Sequence, residues 1–148
     1  MTDKGKLYLI PSPLGDNDPA EVIPAPVLES LQGFRTFVVE EVRTARRYLS
    51  RAGLKGHIGE LEFFELNEHT VAGEAVEQMV APLLEGRSAG VISEAGVPGV
   101  ADPGADIVAL AHKHDIRVVP LVGPSSILMV MMASGQNGQS FAFVGYLP

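Results

Sequence analysis

Short apolar runs alternate with longer stretches in which apolar residues recur every three or four positions, and the alternation continues along the chain. The runs Lys6-Leu7-Tyr8-Leu9-Ile10, Thr36-Phe37-Val38-Val39, Leu61-Glu62-Phe63-Phe64-Glu65-Leu66, Ala89-Gly90-Val91-Ile92 and Arg117-Val118-Val119-Pro120-Leu121 are bounded by Pro, Gly or polar residues, which predicts strands. Between them the spacing predicts helices over residues 25–31, ended by Gly33, over 42–52, stopped by Gly53, over about 72–84, ended by Gly86, and over 105–114 and 127–133. The clearest helical pattern is Ala72, Ala75, Val76, Met79, Val80, Leu83 and Leu84. Phe141-Ala142-Phe143-Val144 predicts a further strand at a sheet edge. Strand and helix in regular alternation predict an α/β fold, a mostly parallel sheet of about five strands with helices on both faces.

That architecture turns sequence order into geometry. In an open parallel sheet the carboxyl ends of all strands face one way, and ligands bind in the crevice there. The loops at 11–19, 40–43, 67–69, 93–104 and 122–126 each come after a strand, so all five gather on one rim. Glycine, proline and polar residues concentrate in them, whereas the opposite loops at 53–59 and 86–88 are unexceptional. The segment 93–104 is far longer than the usual connection of about two to six residues, and long ordered loops tend to be functional. Its Gly96, Gly99 and Gly104 allow a ligand to approach the main chain, and Pro98 and Pro103 stiffen it.

Composition narrows what such a rim could do. The chain has 148 residues, suited to one domain with a real core, and no cysteine, which excludes disulfides and thiolate chemistry. No apolar signal-peptide core comes after Met1 and no run approaches the roughly 18 residues of a membrane span, so a cytoplasmic location is expected. Eleven Lys and Arg against 18 Asp and Glu give a net charge of −7, a poor footprint for non-specific nucleic-acid binding. Arg43, Arg46, Arg47 and Arg51, at helical spacing, form the one basic cluster, and an RNA partner would need help from there.

Taken singly, the rim residues admit plain structural roles. Gly15 and Asp16 suit a turn, and Glu40 and Glu41 suit the positive end of a helix dipole. Arg43 could pair with either glutamate. Asn67 and Glu68 could serve structure or substrate equally, and His69 suits a surface or capping position. His112 and His114, two apart on a helix, point in different directions and cannot form a metal pair, so no metal site is expected. Ser125 and Ser126 after Gly123 and Pro124 could cap a helix or receive an anion. No G-x-G-x-x-G, Walker A or G-x-S-x-G motif occurs.

Together, however, the five loops resemble the tetrapyrrole methylase family of S-adenosylmethionine-dependent methyltransferases. Within it they are most similar to the bacterial branch that methylates a cytidine ribose 2′-hydroxyl in small-subunit ribosomal RNA. Pro13-Leu14-Gly15-Asp16 resembles that branch's Pro-Ile-Gly-Asn turn, Glu40-Glu41-Val42-Arg43 its Glu-Asp-Thr-Arg, and Asn67-Glu68 its Asn-Glu after the third strand. Residues 93–104 resemble its Ser-Asp-Ala-Gly-Thr-Pro-Gly-Ile-Ser-Asp-Pro-Gly, residues 123–126 its Gly-Pro-Ser-Ala, and residues 141–148 its Phe-x-Phe-x-Gly-Phe-Leu-Pro. The chain departs from the pattern at Asp16, Val42, Glu94, Val97 and Ala101.

The resemblance implies a clamp of two α/β domains with S-adenosylmethionine in the cleft between them, and a homodimer. On that basis residues 1–144 are expected to be the N-terminal domain and 145–148 the start of a linker to a second domain. The implied cofactor-binding residues are Pro13, Gly15, Ser93, Ala95, Gly96, Pro98, Asp102, Gly123, Pro124 and Ser125, acting largely through backbone atoms. Asn67 and Glu68 are the implied substrate residues. Glu94, Glu40 and Arg43 are the expected catalytic residues, with Glu94 ranked first as general base because it lies in the central loop. The alternatives are methylation of a tetrapyrrole or other small molecule, which the acidic charge suits, and a non-catalytic nucleotide-binding or dimerisation module.

Overall fold

A computed structural model describes residues 3–67, 74–100, 102 and 104–146. Five strands, β1 (Leu7–Ile10), β2 (Thr36–Val39), β3 (Glu62–Glu65), β4 (Ala89–Ile92) and β5 (Val118–Pro120), form one sheet in the order β3-β2-β4-β1-β5. All four pairings are parallel, and the registers are regular: Leu7 stands beside Ala89 and Val118, and Thr36 beside Ala89 and Glu62. The three central strands are apolar but for Thr36 and the Tyr8 hydroxyl because a parallel sheet is covered on both faces.

The covering comes from six helices: α1 (Pro19–Val22), α2 (Ala25–Ser30), α3 (Val42–Leu49), α4 (Glu74–Leu84), α5 (Gly104–Lys113) and α6 (Ser126–Ser134). Leu31 and Phe34 after α2, together with Ala45, Tyr48 and Leu49 of α3, pack on Ile10, Phe37, Val39 and Ile92. Val76, Met79, Val80 and Leu83 of α4 and Ile107 and Ala111 of α5 pack on Leu7, Val38, Ala89 and Val91 from the other face. The connection leaving β4 therefore crosses on the opposite face from those leaving β1 and β2. Its two neighbours flank β4 in the sheet, so a crevice opens at their carboxyl ends.

Several expectations need correction. Residues 141–144 form no strand: a strand requires a ladder partner, and this segment reaches no sheet edge, with Phe143 instead packing edge-on against Tyr146 at 5.2 Å between ring centroids. The helix expected over 42–52 is α-helical only to Leu49 and continues as a wider turn, Ser50–Leu54, in which Gly53 takes φ 114°. A 3-10 helix, Lys55–Glu60, occupies the expected loop at 53–59. The loop beginning at Pro11 ends in the short helix α1, whose Asp18 caps it by accepting from the Ala20 amide at 3.1 Å, with Pro19 in the first turn.

Candidate active site

Three of the five loops are physically locked together. Ser12 and Gly96 pair as an isolated antiparallel bridge, each amide donating to the other's carbonyl at 3.0 Å. The Ser12 hydroxyl donates to the Ser93 carbonyl at 3.1 Å, and the Ser93 hydroxyl donates to the Gly96 carbonyl at 3.1 Å. Gly96 has φ +77°, and a Cβ there would press on Leu14 Cδ2 at 3.0 Å and the Pro124 carbonyl oxygen at 3.1 Å. Gly123 lies so close against Pro11 that a Cβ would overlap the proline ring. The loops after β1, β4 and β5 therefore meet at one place because glycine lets their backbones touch. Pro13, Gly15, Ala95, Pro98, Pro124 and Ser125 all belong to this junction's three loops.

The polar side chains sort by what they hold. Both oxygens of Asp102 accept from the Gly99 amide, at 3.0 and 3.1 Å, and one accepts from the Gly104 amide at 2.7 Å. This carboxylate therefore folds its own loop and caps α5. Ser125 accepts from the Leu128 amide at 3.3 Å, the N-cap of α6. Asn67 donates to the Glu40 carbonyl at 3.0 Å and so ties the end of β3 to the end of β2. Glu68 and His69 lie outside the described residues. Among the described residues no group of three or more His, Asp or Glu side chains is placed to hold a metal ion.

A cavity of about 400 Å³ opens between the loop after β1, the end of β2, α3 and the start of the loop after β4. Glu40, Glu41 and Glu94 stand at one end of it, with Ser93 and Thr44, and Arg47 and Arg51 stand on its α3 wall. The Glu94 amide donates to Glu40 Oε1 at 3.3 Å. Partial burial pushes the Glu40 carboxyl above its usual range; that hydrogen bond opposes the shift, and the charges of Asp102 and Glu94 add to it. Glu94 is raised in the same way, first by desolvation and then by Glu41, with the Thr44 hydroxyl acting against both. Two carboxyls that resist ionisation side by side are a common property of proton-handling sites.

Arg43 is exposed on α3 and does not line this cavity, so Glu94 and Glu40 are brought together and Arg43 is not. Several contributors were not legible in the sequence. Glu65, at the end of β3, accepts from the Val42 amide at 3.1 Å and caps α3, while Glu41, at the N-cap position itself, makes no side-chain cap. Tyr48 donates from its buried hydroxyl to the Pro11 carbonyl at 2.7 Å, pinning the loop after β1 to α3, and burial raises its phenol above the ordinary range. A polar tip on an otherwise inward-facing helix position was the available signal for Tyr48.

No protein-family model matches the chain. Among curated proteins it is 38% identical to the ribosomal RNA small subunit methyltransferase I of Mesorhizobium japonicum over 142 residues, 96% of this chain and 45% of that protein. It is 30% identical to the protein of the same name from Halalkalibacterium halodurans over 146 residues, 99% of this chain and 47% of that protein. For the Haemophilus influenzae protein the identity is 33% over 149 residues, 100% of this chain and 50% of that protein. The chain thus spans about half the length of the curated relatives it matches.

Proposed function

We infer that this chain, which belongs to the family of the ribosomal RNA small subunit methyltransferase I proteins, is the N-terminal half of an S-adenosylmethionine-dependent enzyme methylating a ribose 2′-hydroxyl of small-subunit ribosomal RNA. Within this reading residues 1–144 are the domain and 145–148 begin the linker to a second one. The complete enzyme is a cytoplasmic homodimer. No helix among the described residues is long and apolar enough to cross a membrane.

The observation that carries the reading is the junction at Gly96 and Gly123, where three loops from separate strands are fastened into one rim. Bound there, S-adenosylmethionine supplies an electrophilic methyl group on a sulfonium cation. The residues present suit such a cation: the rim exposes Glu94 beside the backbone of Ala95, and Glu40 and Glu41 stand behind it. Pro13, Gly15, residues 93–98 and residues 123–125 hold it, chiefly by main-chain groups. Asp102 contributes by fixing the shape of its loop.

Methyl transfer is an in-line displacement, so alignment does most of the work; orientation of two reactants can supply roughly 7–11 kcal/mol. With the cofactor held by these loops, its sulfonium would supply the methyl group and serve as the leaving group, and the task of this chain's residues would be to hold the acceptor hydroxyl in line with it. The hydroxyl proton passes to the Glu94 carboxylate, with Glu40 beside it, a general-base step worth about 10²–10⁴-fold. Asn67, tied to the Glu40 carbonyl at the end of β2, is assigned with Glu68 to acceptor binding on the strength of the family pattern alone, and Arg43 to a supporting role outside the cavity.

The test is methyl transfer by the protein at its relatives' full length to small ribosomal subunits that lack the modification, run beside a tetrapyrrole acceptor, the reading favoured by the charge of −7. Incorporation into the ribosomal RNA is expected; incorporation into the tetrapyrrole alone overturns the assignment of substrate. Glu94→Gln should slow turnover about 10²–10⁴-fold, far more than it weakens cofactor binding, which rests mainly on backbone groups; unchanged turnover removes Glu94 as the base. The 148-residue chain alone should bind S-adenosylmethionine weakly or not at all by calorimetry, and submicromolar affinity contradicts a shared site.

A further inference from the structure

The cavity beside α3 has two chemically opposite ends. At one, Glu40, Glu41 and Glu94 present carboxyl oxygens that accept hydrogen bonds; at the other, Arg47 and Arg51 rise from successive turns of the α3 segment. The four arginines that look alike in the sequence are thereby divided. Thr44, Arg47, Tyr48 and Arg51 fall on the face that forms the wall, whereas Arg43 is not part of it and Arg46 lies over the Phe63 ring, 5.5 Å from its centroid. Arg47 makes no ion pair among the described residues, and Arg51 is paired only with the exposed Asp16 at 3.2 Å, a partner that water and ligands displace readily. In a chain of net charge −7, two available guanidinium groups facing an otherwise acidic recess select a ligand with an anionic end and a hydrogen-bond-donating end.

A nucleotide has that polarity. Guanidinium groups match phosphate in a planar, bidentate way, and carboxylates accept from an exocyclic amine or a sugar hydroxyl. The volume, about 400 Å³, lies at the small end of the range for ligand pockets, roughly 300–1,000 Å³, and accommodates one residue of a polynucleotide, not a duplex. We propose that this cavity seats a single nucleotide of the RNA acceptor, its phosphate held by Arg47 and Arg51 and its sugar and base turned toward Glu40 and Glu94, while Pro13, Gly15 and Ser93 form the wall it shares with the loops assigned to the cofactor, which lies on their far side. The proposal rests on the methyltransferase reading and adds to it the residues that hold the acceptor. It also explains how an acidic protein handles RNA: through two placed cations, not a basic surface.

The experiment titrates the chain with cytidine 5′-monophosphate and, separately, with cytidine, monitoring backbone amide resonances. The monophosphate should shift the amides of residues 44–51, 40 and 94, and bind at least tenfold more tightly than the nucleoside. Arg47→Ala with Arg51→Ala should abolish that preference for phosphate, Arg47→Lys with Arg51→Lys should restore part of it, and Arg87→Ala, at an exposed site outside the cavity, should leave it unchanged. On a short single-stranded RNA the double alanine variant should flatten the plot of log affinity against log salt by about 0.7 per lost phosphate contact. Equal binding of nucleotide and nucleoside, shifts confined to another surface, or indifference to the double substitution overturns the proposal. A phosphate preference that depends on these arginines, found in a protein that transfers no methyl group, would leave the seat standing and defeat only the enzymatic reading.

Discussion

Helices α5 and α6 both come after a strand of the same sheet and both are largely apolar, yet Ile107 and Ala111 of α5 are fully buried while no residue of α6 is. The difference lies in how the chain leaves each helix. After α5 it returns to the sheet as β5, which clamps the helix onto the face it has crossed; after α6 no strand returns among the described residues, and residues 135–146 stay exposed. Met132 is 82% exposed and Val144 93%. A helix apolar on all sides, as Ser-Ile-Leu-Met-Val-Met-Met-Ala-Ser is, belongs in an interior. Apolar composition therefore states a requirement for burial without supplying the surface that meets it.

The widest gap between the two regions should appear in stability. Phe37→Ala removes a fully buried ring that packs against Phe34 and Phe63, and urea unfolding should show a loss of about 3–5 kcal/mol. Met132→Ser on α6 should change the same measurement by no more than about 0.5 kcal/mol. Comparable losses from both would mean that α6 is packed in solution.

A smaller effect is expected at the seam between the regions. Gly123→Ala drives a methyl group into Pro11 and should cost about 1–3 kcal/mol. Because Pro11 leads into the loop bridged to Gly96, the amide resonances of Ser12 and Gly96 should move as well. Their failure to move would show that the loops are not coupled.

The smallest effect depends on pH. Folding raises the carboxyl pKa values of Glu40 and Glu94, so the folded state binds their protons more tightly than the unfolded chain does. The resulting stability is present in full below the ordinary carboxyl value of 4.5 and is lost as pH rises through the folded values. Glu40→Gln should consequently raise the melting temperature near pH 7 and lose that advantage near pH 4. A gain of the same size at both would assign it to something other than the charge.

Much of the fold was readable from the sequence because it is local. The bounds expected for β2 and β4 are those observed, since each is a short apolar run closed by polar residues and each lies where the other can pair with it. The false strand at 141–144 has the same local character, and failed because pairing requires an edge elsewhere in the molecule. In the site, the gathering of loops on one rim came from parallel strands alone. The fastening of Ser12 to Gly96, the cap that Glu65 gives α3 and the division of Arg47 and Arg51 from Arg43 and Arg46 did not.

What the amino-acid order settled by itself is thus the succession of elements, the absence of thiol chemistry, and the placing of glycine and proline loops at the carboxyl ends of strands. Only the tertiary structure decided the order β3-β2-β4-β1-β5, and with it which carboxyls crowd together and which helix face becomes a cavity wall. The physical reason is one of range: periodicity records how each segment meets solvent. Which segments meet one another is set by sheet hydrogen bonds and close packing between residues far apart in the chain, as between Gly123 and Pro11.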